Sequence, residues 1–86
     1  MSHHMVITYD EGALGRRYRA EVEFADGARL QRSVVITPHD MEIEGRAQRA
    51  VTWHFKCDFR RHLTDCDDVV DAAIAALLEF DPGAFS

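Results

Sequence analysis

Arg16-Arg17-Tyr18-Arg19-Ala20-Glu21-Val22-Glu23-Phe24-Ala25-Asp26-Gly27-Ala28-Arg29-Leu30 decides the fold. Tyr18, Ala20, Val22 and Phe24 alternate with Arg17, Arg19, Glu21 and Glu23, a period of two that sends one set to a core and the other to water. Clean alternation of this kind belongs to an antiparallel sheet with one solvated face. Asp26-Gly27 marks a hairpin, and the register follows from parity. A two-residue loop would set Phe24 opposite Arg29 and Val22 opposite Gln31, placing polar groups on the core face. A three-residue loop, Ala25-Asp26-Gly27, sets Phe24 opposite Ala28, Val22 opposite Leu30 and Tyr18 opposite Val34. It also sets Glu23 opposite Arg29, an opposite-charge pair on the wet side. The three-residue loop is therefore expected, with Gly27 left-handed in a bulge. Arg32 then falls opposite Ala20 on the core side, as the one misfit.

Upstream, residues 5–9 (Met-Val-Ile-Thr-Tyr) read as a short edge strand, and residues 10–15, with two glycines, as a turn. Downstream, the second arm runs from residue 28 to about 37, where Pro38 stops it. Thr37-Pro38-His39-Asp40 has the form of a helix start, with Thr as cap, Pro at the first helical position and Asp three residues after the cap. Ile36 and Met41 fit a hydrophobic staple, and Gly45 limits that helix to one or two turns. A short strand over residues 41–44 is the competing reading.

Residues 49–57 read as a further strand, with Val51, Trp53, Phe55 and Cys57 on one face and Ala50, Thr52, His54 and Lys56 on the other. Trp53 and Phe55 are expected to be large pieces of the core. After a connector, Thr64 or Asp65 caps a helix running to about Phe80, and Asp81-Pro82-Gly83 ends it. Cys66, Val69, Val70, Ala73, Ile74, Leu77 and Leu78 form its apolar stripe. The expected fold is α+β: a three- to four-stranded antiparallel β-meander packed on one C-terminal amphipathic α-helix. Phe85 either folds back on the core edge or frays.

The chain has 86 residues, which suits one domain over residues 5–86. His3 and His4 suggest a vector remnant, so residues 1–4 are set apart from fold and site. A hydrophobic content of 47% with 29% charged residues fits a globular protein. No signal peptide or membrane-length apolar run is visible, so a cytoplasmic setting is expected, with Cys57 and Cys66 as free thiols.

Net charge is −5, unevenly placed. All ten Lys and Arg residues lie between Arg16 and Arg61, and six acids follow without a base. A nucleic-acid domain announces itself with a basic excess, which this chain lacks. Arg17, Arg19, Arg29 and Lys56, with His54, would still share the wet sheet face as a polyanion-facing surface. Glu21 and Glu23 cancel part of that field.

His54, Cys57, His62 and Cys66 carry zinc-type ligand atoms at compact spacing. Three residues apart on a strand, His54 and Cys57 would point to opposite faces, and no C-x2-C knuckle is present. Metal binding, or thiol redox chemistry at Cys57 and Cys66, is therefore a minor alternative, and no cofactor is expected. No phosphate loop or nucleophile motif is present, which points away from an enzyme.

Three stretches taken together, the F-A-D-G hairpin at residues 24–27, V-T-W-H-F at residues 51–55 and D-A-A-I-A-A-L-L-E-F-D-P at residues 71–82, resemble small proteobacterial proteins classed as domains of unknown function. That resemblance implies no activity or site residue. By elimination, the expected role is a protein-interaction or adaptor module that binds a protein partner or a second copy through an exposed strand edge. A nucleic-acid module using the Arg-bearing sheet face is the alternative.

Overall fold

The computed structural model describes residues 4–24, 27–61 and 65–86. Three strands, β1 (His4–Gly12), β2 (Gly15–Glu23) and β3 (Arg29–Ile36), form an antiparallel sheet in the order β1-β2-β3. Three helices follow among the described residues: α1 (Pro38–Met41), α2 (Arg46–Arg60) and α3 (Asp67–Phe80). The class is α+β, with the meander as expected and three strands among the described residues.

The central hairpin has the parity-derived register. Val22 pairs with Leu30, Tyr18 with Val34, Glu23 with Arg29 and Ala20 with Arg32. Phe24 N donates to the Ala28 carbonyl at 2.8 Å, and Gly27 N donates to the Phe24 carbonyl at 2.9 Å. Gly27 takes a φ of +88°, which a side chain would strain. Residues 25 and 26 lie outside the described residues.

β1 is longer than the sequence suggested. It starts at His4, opposite Glu23, and continues to Gly12, opposite Gly15. Asp10 and Glu11, expected in a loop, are thus strand residues opposite Arg17 and Arg16. Charge pairing across the strands supports the extension. Gly15 has a φ of +148°, and a Cβ there would run into the Ile36 carbonyl, so the first turn and the third strand meet at a glycine.

α1 is the short capped helix that the Thr37-Pro38-His39-Asp40 pattern predicts. Thr37 Oγ1 accepts from Asp40 N at 3.2 Å, and Asp40 Oδ2 accepts from Thr37 N at 3.0 Å. The Thr37 hydroxyl also donates to Asp40 Oδ2 at 2.9 Å, and the two donors of Thr37 hold the Asp40 carboxyl below its usual range, the backbone N–H contributing most.

The expected strand over residues 49–57 is instead the middle of helix α2. Ala47, Val51, Phe55 and Phe59 are buried at a spacing of four, and the Phe55 and Phe59 rings stack with centroids 5.6 Å apart. Trp53, expected in the core, is 61% exposed. Sheet geometry explains the choice. Three strands spaced ~4.8 Å apart carry an apolar underside wider than one helix of ~10 Å can cover. A second helix closes it, with α2 packing on β3, α3 on β1, and the two helices on each other.

α3 begins at Asp67, and Cys66 takes the cap position without a side-chain bond. The expected cap Asp65 stands one residue earlier, its Oδ1 accepting from Asp67 N at 3.2 Å, while Thr64 lies outside the described residues. Val69, Val70, Ala73 and Leu77 are buried, and Ile74 and Leu78 are half-buried. Past the helix, Tyr18 Oη donates to Asp81 Oδ2 at 2.7 Å, and Arg16 Nη1 donates to the Gly83 and Ala84 carbonyls at 3.3 and 3.4 Å. Ala84 is buried and Phe85 packs against the core, so this segment folds back rather than frays.

Candidate interaction surface

α2 and α3 each bury one face, and what they turn outward differs in sign. On α2 the buried residues are Ala47, Val51, Phe55 and Phe59. At 100° per residue, the direction opposite their centre falls on Trp53. Arg46, Arg49, Trp53, Lys56 and Arg60 share that outer stripe, and all five are exposed. Arg46 is tied to Asp40, with Nε to Oδ1 at 3.3 Å. The side chains of Arg49, Lys56 and Arg60 have no polar partner among the described residues. A depression of about 500 Å³ runs beside the ring, lined by Gly45, Gln48, Arg49, Thr52, Trp53 and Lys56.

On α3 the buried residues are Val69, Val70, Ala73 and Leu77, and the opposite direction falls on Ala75. Asp68, Asp71, Ala75 and Glu79 share that stripe, all exposed. None of the three acids has a polar partner among the described residues. The helical layer therefore presents a basic ridge bearing a large aromatic ring, beside an acidic ridge with a small residue at its centre.

The wet sheet face differs from the expectation. Lys56 and His54, expected there, lie on α2 and are exposed. The arginines that remain are mostly committed. Arg17 pairs with Asp10, and Arg29 reaches Glu23 at 3.3 Å and Glu21 at 3.9 Å. Arg19, between Thr8 and Ser33 on the neighbouring strands, has no polar partner among the described residues. One uncommitted arginine amid paired acids gives a nearly neutral face. A hollow of about 260 Å³ beside it is lined by Thr8, Tyr9, Asp10, Arg17 and Arg19.

The structure disperses the thiol and imidazole candidates. His54 is exposed and Cys57 half-buried on α2, Cys66 is buried at the start of α3, and His62 lies outside the described residues. Cys66 Sγ lies 3.8 Å from the Lys56 carbonyl, as a donor to it. Cys57 and Cys66 are not bridged. Among the described residues, no three His, Cys, Asp or Glu side chains are grouped to hold a metal ion. No helix among them is long and apolar enough to cross a membrane.

Reading residues 49–57 as a strand hid the basic ridge. The signal was present over a longer window: Ala47, Val51, Phe55 and Phe59 recur every four residues, and Arg46, Arg49, Lys56 and Arg60 follow the complementary helical spacing. No family model, curated protein or solved structure matches the chain, so the resemblance to small proteobacterial proteins acquires no family assignment.

Proposed function

We propose that this protein is an interaction module whose working surface is the outer face of α2 and whose partner presents an acidic protein surface. The observation that carries this reading is Trp53, 61% exposed at the centre of a ridge formed with Arg49, Lys56 and Arg60. Burying an indole is worth several kcal/mol, roughly 2–4, to whatever covers it, and Trp and Arg are the residue types that dominate binding energy at protein interfaces. Among the described residues no acid pairs with the side chains of Arg49, Lys56 or Arg60, which leaves them available to an incoming carboxylate. Cytoplasm is the proposed setting, supported by two unbridged cysteines.

Single-stranded nucleic acid is the second reading, because an exposed Trp among bases is also a stacking platform on a phosphate track. The acids of α3, on the neighbouring helix, and the net charge of −5 oppose it.

A photoreactive residue at position 52, beside Trp53, tests both readings in cells. The expected result is a discrete protein adduct that Trp53→Ala abolishes, with none from position 33 on the wet sheet face. A nuclease-sensitive adduct would establish the second reading instead. Absence of any adduct from position 52 would remove both.

A further inference from the structure

The two ridges of the helical layer match each other, which identifies the acidic surface proposed above. We infer that α2 of one chain docks antiparallel on α3 of a second copy, and reciprocally, giving a two-fold dimer through the helical layer. This inference rests on the interaction reading and names its partner.

The match is one of spacing, charge and size. Outward positions on α2 are Arg49, Trp53, Lys56 and Arg60, and on α3 they are Asp68, Asp71, Ala75 and Glu79. Laid antiparallel, Arg49 meets Glu79 of the partner subunit, Lys56 meets Asp71 of the partner subunit, and Arg60 meets Asp68 of the partner subunit. Trp53 then lies over Ala75 of the partner subunit, the one position in that ridge small enough to seat an indole. The three bases of the α2 ridge find the three acids of the α3 ridge, and among these positions no like charges face each other. A parallel arrangement centred on Trp53 and Ala75 leaves Arg60 beyond the end of α3.

Symmetry permits both contacts at once. Packed helices joined by a connection as short as residues 61–66 run antiparallel. Rotation about an axis parallel to them carries α3 of one copy onto α2 of the other in the same antiparallel sense, and the interface closes on itself. Each chain's basic ridge is covered by the other's acidic ridge, which gives partners to three side chains that have none among the described residues of their own chain.

Sedimentation of the full chain and charge swapping test the inference. The wild type is expected to be a dimer that dissociates as salt is raised, because exposed pairs are screened. The pair Lys56→Glu with Arg60→Glu, and separately Asp68→Lys with Asp71→Lys, should each weaken it by ~10-fold or more, equivalent to at least ~1.4 kcal/mol. All four positions are exposed, so both variants should keep the wild-type fold by circular dichroism. An equimolar mixture of the two variants should restore dimer, because every contact in the mixed pair is complementary. A wild type that stays monomeric at millimolar concentration overturns the inference, as does a dimer indifferent to both swaps. A monomer that still forms the Trp53-dependent adduct with another protein removes self-association alone. A monomer without any protein adduct removes the interaction reading as well.

Discussion

Tyr18 is fully buried on the central strand, yet its hydroxyl reaches Asp81 at 2.7 Å beyond the last helix. Burial foremost, and then the hydrogen bond to the carboxylate, raise its ionisation to about 12 from the usual 10.0. A phenol whose folded-state pKa lies above its unfolded value contributes stability that is complete below about 10 and is lost as pH rises towards 12. Alkaline unfolding should therefore show a tyrosine-linked step in that window, visible as loss of stability in urea titrations at stepped pH. Tyr18→Phe should remove this step and cost about 1.5–3 kcal/mol at neutral pH, the worth of a hydrogen bond to a charged group. A Tyr18→Phe protein with an unchanged alkaline profile would contradict this account. The tie was not legible beforehand because Tyr18 and Asp81 are 63 residues apart and nothing local announces them. The Thr37–Asp40 box was legible because cap, proline and acid lie within four residues.

At the scale of elements, the hairpin and α2 show why one reading held and the other failed. Strand parity along β2 and β3 admits a single register that keeps Val22, Leu30, Tyr18 and Val34 together, so local pattern and tertiary need agree. Along residues 49–57, β-branched and aromatic residues imitate a strand, and only the uncovered underside of the sheet decides for a helix. Propensity there is overruled by packing. Truncation separates the two conformations, because Phe55 and Trp53 would share a face on a strand and lie on opposite faces of α2. Phe55→Ala should cost about 3–5 kcal/mol, and Trp53→Ala should stay within roughly 0.5 kcal/mol in the monomer, measured by chemical denaturation at low protein concentration. Comparable losses at both positions would return Trp53 to the core. The candidate surface depends on its element: a strand over residues 49–57 would put Lys56 and His54 on the sheet face, and only the helix lines up Arg49, Trp53, Lys56 and Arg60.

At the scale of the whole molecule, the described residues form two layers, a three-stranded sheet and the pair α2 and α3, which packs on one face of that sheet. Charge is sorted by helix, with bases outward on α2 and acids outward on α3. That sorting makes salt the natural variable for any association through this layer, while folding, driven by a core without buried polar residues among those described, should respond to it little. The strand order carries a kinetic consequence. Each strand pairs with its neighbour in the chain, across a two-residue turn in one case and a short loop in the other. No distant segment has to be found before the sheet can form, so little loop-closure entropy stands in the path of folding. The main refolding phase should fall on the ~millisecond scale, measured by stopped-flow circular dichroism after dilution from denaturant, and a main phase of seconds would contradict this account. A chain that assembles so quickly leaves the open edges of β1 and β3 only a brief interval in which to meet the edge of an unfinished neighbour.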